Sequence, residues 1–252
     1  MTRYLQVALL AGAALLTLRS EVTVAAETDL AQTIVDKADQ IRFPRESFQV
    51  DVLITSTAPD REPEQRKYRI LSKDNDNTLV VTLEPAADKG QVLLMRGRDL
   101  WIYMPNLSQP IRLALSQRLA GQVANGDLAR ANFSGDYTPR LVGTESIDGE
   151  PCYVLELSAV DRGVTYHRVK YWVKESDNRP SKAEFYSVSD RLLKVGTYRA
   201  FQSLGGKTRP TQVVIEDALR KGEQSVLEYS NLRLRELPDK MFTKDYLKHL
   251  DL

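Results

Sequence analysis

The sequence predicts a mainly β protein with a few α-helices. Three observations carry this. From residue 48 onward, apolar residues alternate with polar ones instead of recurring at helical spacing. Turn signals rich in Gly, Asp, Asn and Pro arrive every eight to about twelve residues, the spacing of an all-β sandwich or barrel. Helical periodicity is confined to the two ends and to one interruption in the series.

The elements follow in order. Asp29 can cap a helix in which Ile34, Val35, Ala38 and Ile41 fall on one face, and Phe43-Pro44 ends it. Phe48, Val50, Val52 and Ile54 alternate with Gln49, Asp51 and Thr55, as a half-buried strand does. A polar turn at Ala58 to Glu64 leads to a strand holding Tyr68 and Ile70. Asp74-Asn75-Asp76-Asn77 turns into Leu79, Val81 and Leu83. Strands at Gln91 to Met95 and Leu100 to Tyr103 flank Arg96-Gly97-Arg98-Asp99.

From Asn106 to Phe133 the alternation stops. Leu113, Ala114, Gln117, Leu119 and Ala120 could form a helical turn or two. Asn125-Gly126-Asp127 could end one helix and cap another through Leu128 to Ala131. An insertion of this kind inside a meander is either functional or a mobile connection. Strands resume at Arg140 to Glu145, and Ile147-Asp148-Gly149-Glu150 is a strong hairpin signal. Later strands centre on Tyr153 to Leu157, Val169 to Val173, Ala183 to Val188, Leu193 to Phe201, Gln212 to Ile215 and Ser225 to Leu232. The count is roughly eleven strands, and Thr243 can cap a last helix over Phe242 to Leu250.

The N-terminus reads as a secretory signal. Arg3 precedes an apolar run from Leu5 to Leu18, too short to span a bilayer comfortably. Val24-Ala25-Ala26 places cleavage after Ala26, giving a signal over 1–26 and a single domain over 27–252. Arg19 and Glu21 leave an uncleaved anchor as the alternative. The mature chain would carry 33 basic and 33 acidic residues. That balance argues against nucleic acid as a partner, because displacing counterions needs a basic surface. Cys152 is the only cysteine, so no intramolecular disulfide forms, and a buried, inert thiol is expected there. Two histidines and one cysteine give no metal-binding spacing. Charged side chains alternate with apolar ones as on solvated strand faces. No catalytic cluster and no cofactor are expected.

Several segments together resemble the periplasmic lipoprotein-carrier family, the LolA-like outer-membrane lipoprotein-sorting proteins. They are Ser47-Phe48-Gln49-Val50-Asp51-Val52 after a helix; Gly97-Arg98-Asp99-Leu100-Trp101-Ile102-Tyr103-Met104-Pro105; Tyr171-Trp172-Val173 with Pro180 to Tyr186 and Leu192-Leu193-Lys194; and Phe242-Thr243-Lys244-Asp245-Tyr246-Leu247. The segment from Gly121 to Tyr137 looks like a sorting-like branch of the family. The resemblance implies one strongly curved antiparallel sheet, an unclosed β-barrel with helices plugging the concave face. It implies acyl chains of a lipoprotein or lipid as cargo in the periplasm, an inner-membrane transporter as donor and an outer-membrane acceptor. It also implies an arginine on an early strand that holds the lid closed. Arg69 is the nearest match, with Arg66 second.

On this reading Phe48, Val50, Val52 and Ile54 face inward, joined by Leu79, Val81, Leu83, Trp101 and Tyr103. The moving lids are 29–42 and 113–131. The same residues could equally form an ordinary core against the helices. The function expected is a non-catalytic carrier; the alternatives are an accessory docking subunit of an envelope transporter and, third, an enzyme on lipid or glycan.

Overall fold

A computed structural model describes residues 29–247. Helix α1 covers 29–42. The strands are β1 Phe48–Ala58, β2 Arg61–Lys73, β3 Asn77–Glu84, β4 Val92–Arg96, β5 Asp99–Tyr103, β6 Ile111–Leu113, β7 Arg118–Ala120 and β8 Val123–Ala124. After α2 (Asn125–Ala129) come β9 Tyr137–Ile147, β10 Glu150–Ala159, β11 Arg168–Lys174, β12 Pro180–Tyr186, β13 Leu192–Leu204, β14 Lys207–Asp217 and β15 Gln224–Leu234. A 3-10 turn, Asp239–Phe242, and α3, Lys244–Leu247, follow.

Thirteen strands form one antiparallel sheet in the order β6-β5-β4-β3-β2-β1-β15-β14-β13-β12-β11-β10-β9. Tight turns set much of this register. Asp148 and Gly149 both have positive φ, as a two-residue hairpin between right-twisted strands requires. The sheet is strongly rolled. Arg98, between β4 and β5, hydrogen-bonds Asp136, the residue before β9, at 3.0 Å. Were the sheet flat, those strands would lie roughly 50 Å apart at ~4.8 Å per strand. The edge strands β6 and β9 do not pair with each other, so the roll stays unclosed.

Cross-strand partners trace a single inward face. Val50 opposes Ile70, Ile70 opposes Val80, and Val80 opposes Leu93. In the other direction Ile54 opposes Leu227, which opposes Val213, which opposes Tyr198. Two plugs cover this face. The segment after β6 packs Leu115, Ala120, Val123, Leu128 and Ala129 on β1 to β5. Helix α1 packs Ala31, Ile34, Val35 and Ala38 on the β10 to β13 side. Phe43-Pro44 ends α1 as expected, and the Phe43 N–H bonds the Asp39 carbonyl at 2.9 Å.

The insertion differs from its sequence reading. In place of the expected helical turns at 113–120 stand the end of β6, a turn at 114–117, and β7. Asn125-Gly126-Asp127 forms the first turn of α2 instead of separating two helices. Short apolar runs fit either period, and here packing on the sheet decides. Asp127 Oδ2 accepts from the Ala124 N–H at 2.8 Å and closes the helix start. Gly126 is needed there because a Cβ would collide with the Thr165 side chain. The final helix is short, and Thr243 Oγ1 accepts from the Tyr246 N–H at 3.3 Å. The expected signal over 1–26 and the end of the predicted last helix lie outside the described residues.

The outward face is also buried at one end. Leu237, Phe242 and Leu247 cover Leu71, Leu79, Val81, Val92 and Leu94, with Leu83, Trp101 and Tyr103 at the margin. Cys152 is buried against Val154 and Trp172, and burial pushes its thiol up. Phe242→Ala should therefore cost about 3–5 kcal/mol, the usual cost of emptying a buried aromatic site. Urea denaturation measures this.

Candidate functional site

The concave face is the candidate binding surface. Four of the expected residues line it. Val50, Val52 and Ile54 are covered by the insertion, and Phe48 lies at the mouth, stacked on Phe43 at 5.5 Å. The other five belong elsewhere. Leu79, Val81, Leu83, Trp101 and Tyr103 face outward beneath the C-terminal segment. The correction has a physical cause. Both faces of β3 to β5 are apolar, so alternation defines two sets without saying which is inside. Register with β2 decides, and it turns Tyr68, Ile70, Val80, Leu93 and Ile102 inward.

Arg69 is corrected for the same reason. It stands opposite Asp51 on the outward face and donates to it at 2.7 and 3.1 Å. Arg66 binds Glu64 and Asp88 at 2.7 and 2.6 Å. Among the described residues neither is hydrogen-bonded to a lid segment. The arginine that is so bonded is Arg209, on β14, only 2% exposed. Its Nη1 donates to the Gln40 and Ile41 carbonyls at 2.8 and 3.1 Å, and its Nε to the Leu204 carbonyl at 3.2 Å. A cation on the last carbonyls of a helix satisfies acceptors that have no partner within the helix and complements the helix dipole. Burial pulls the Arg209 guanidinium below its ordinary range, with Glu46 opposing.

A second tie joins the two plugs. Asp39 of α1 accepts the Phe133 and Ser134 N–H groups at 2.9 and 2.8 Å. Asp36 accepts from Ser134 Oγ at 2.6 Å. Burial pushes the Asp39 carboxyl up, opposed by Arg42 at 3.3 Å and by the two N–H groups. Arg130 closes the other side. It binds Asp136, Asp76 at 2.7 Å, and the Asn75 and Gly97 carbonyls at 3.1 Å.

Between these ties lies a pocket of about 480 Å³ at the mouth. Phe43, Phe48, Ile70, Leu128 and Ala131 give it an apolar floor, and Arg45, Glu46 and Asp74 a charged rim. Its volume falls in the range of about 300–1,000 Å³ usual for small-molecule sites. Beyond Asn132 a smaller cavity of about 40 Å³ sits under both plugs, lined by Arg42, Tyr198 and Tyr229 among others. Sequence patterning did not single out Asp39, Arg42, Arg130 or Arg209. The inward tyrosines on alternating strand positions were the available hint.

Comparison with known proteins gives consistent relatives. A family model described only as "-like: Uncharacterized protein" matches residues 74–249. A LolA superfamily protein of Nitrosomonas europaea is 60% identical, with 86% of this chain and 98% of that one covered and a TM-score of 0.82. A DUF1329 family protein of Desulfovibrio piger is 24% identical (88% and 99% covered, TM-score 0.75). A domain described as an outer-membrane lipoprotein-sorting protein, from Vibrio parahaemolyticus, is 21% identical (88% and 99% covered, TM-score 0.73). The last two show the fold alone. No curated protein matches.

Two outcomes follow from the ties. Asp39→Ala strands the buried Arg42 and frees two N–H groups. It should cost about 3–5 kcal/mol, as breaking a buried pair does, and should raise hydrogen exchange first at Phe133 and Ser134. At Asp51, burial would raise the carboxyl, but Arg69 and Asn231 outweigh it and hold it below its ordinary 3.8. A lowered folded-state value stabilises above the ordinary pKa, and that stability is lost as pH falls through the folded value. Asp51→Asn should thus be less stable at neutral pH and lose less further stability below about pH 4. Thermal unfolding across pH measures the difference.

Proposed function

The chain belongs to the LolA superfamily, and from that premise we propose that it carries acyl chains of a lipoprotein or lipid through the periplasm between inner and outer membrane. An inner-membrane transporter loads it and an outer-membrane acceptor receives from it. It works by binding and release, without catalysis. The observation that carries this reading is the apolar-floored mouth pocket of about 480 Å³, which opens onto a concave face closed by two plugs instead of by strands. Among the described residues no helix is long and apolar enough to cross a membrane.

The energetics suit exchange. Helix α1 covers the face with two alanines, one isoleucine and one valine. Burial of the two larger side chains contributes about 1.5–3 kcal/mol each. An acyl chain gains about 0.8 kcal/mol per buried methylene, so roughly ten methylenes exceed what the helix gives up by only a few kcal/mol. Arg209 and Asp39 tip the empty protein towards closure, and cargo opposes them. A ligand shifts such an equilibrium only by its differential affinity for the open state.

Organic extraction of protein purified from its native envelope, followed by mass spectrometry, should yield an acyl lipid. The purified protein should also take up a fluorescent fatty acid. Arg209→Met, which releases the end of α1, should raise apparent affinity by about tenfold by increasing the open fraction. No lipid and no uptake would support the docking-subunit reading instead. Unchanged affinity in the Arg209 variant would exclude α1 as the moving plug.

A further inference from the structure

The deepest part of the concave face is polar. Arg42, at the end of α1, is buried there with a side chain only 10% exposed. Its guanidinium donates to Asp39 Oδ1 at 3.3 Å and faces the Tyr171 hydroxyl. Its plane otherwise lies over Phe133 and Tyr198, at 4.8 and 5.4 Å. Tyr198, Tyr171 and Tyr229 are its electrostatic neighbours. The Tyr171 hydroxyl is fully buried with no hydrogen-bond partner among the described residues, and the buried Asn132 Oδ1 has none either. A buried guanidinium has five N–H donors, and unmet buried donors are costly.

Arg42, Tyr198, Tyr229 and Asn132 line the cavity of about 40 Å³. A space of about 10–15 Å³ of this kind holds one water, so the cavity has room for a small polar headgroup such as a carboxylate. Asn132 and Ala131 line both this cavity and the mouth pocket. The acids nearby are committed. Asp39 is bound by the Phe133 and Ser134 N–H groups, Asp136 by Arg98 and Arg130, and Asp127 by the Ala124 N–H and the Tyr166 hydroxyl.

Resting on the carrier reading, we propose that this protein binds a single-chain fatty carboxylate head first. Arg42, with the Tyr198 hydroxyl, holds the carboxylate in the inner cavity. The chain runs out past Asn132 over Phe43, Phe48 and Ile70 in the mouth pocket. Entry tail first would press methylenes onto the guanidinium and leave its donors unmet, which is the costlier arrangement. Entry head first gives the guanidinium two acceptor oxygens in the geometry it pairs with best.

The test is direct binding of radiolabelled palmitate and methyl palmitate to the full protein. Palmitate should bind at least about tenfold more tightly than its ester, the worth of a charge-assisted hydrogen bond. Arg42→Gln should erase that difference. Tyr198→Phe, which keeps the shape of the site, should weaken palmitate by about threefold or more and leave the ester unchanged. Its result stands even if the Arg42 variant fails to fold. Equal binding of acid and ester to the unaltered protein would overturn the headgroup site while leaving the carrier reading intact. Binding of neither would overturn both.

Discussion

The structure depends on one buried carboxylate. Asp39 projects from α1 and accepts two backbone N–H groups from the segment that forms the other plug. It thereby joins two elements that otherwise meet the sheet separately, one over β1 to β5 and one over β10 to β13. A rolled sheet with one apolar face must have that face covered. Here the cover is made of two pieces joined by these hydrogen bonds, with Ala124 and Phe133 sharing an apolar cluster with α1. Hydrogen bonds of this kind are directional, so they fix where the two pieces sit.

This division explains why polar groups are concentrated around the mouth. Arg209 caps the end of α1, Arg130 clamps the segment after α2, and Arg98 reaches Asp136 across the gap in the roll. Each arginine meets carbonyls or a carboxylate in place of water. Apolar contacts give the plugs their affinity for the sheet. The polar ties give them a position, and so define the pocket between them.

The outward face has its own logic. At the β3 to β5 end it is as apolar as the inside, because the C-terminal segment folds back over it. A strand buried on both sides has no polar phase, and its alternation carries no information about inside and outside. That is why Leu79, Val81, Trp101 and Tyr103 read as cleft residues in sequence. The same one-residue parity placed Arg69 outside. β1 did have a polar phase, and there Phe48, Val50, Val52 and Ile54 were read on the correct face.

By itself, the sequence determined what local periodicity and turn chemistry control. That includes the predominance of strands, the helix from 29 to its end at Phe43-Pro44, the Asp148-Gly149 hairpin and the buried Cys152. The resemblance of its motifs supplied the rolled sheet. Tertiary structure decided which face of a doubly buried strand points inward, that 111–124 is three short strands joined by turns, and which arginines meet the plugs. Arg42, Arg209 and Arg130 stand in unremarkable sequence contexts. Their partners are backbone carbonyls and acids from 3 to 169 residues away, and no local pattern encodes a contact made only when the sheet has rolled.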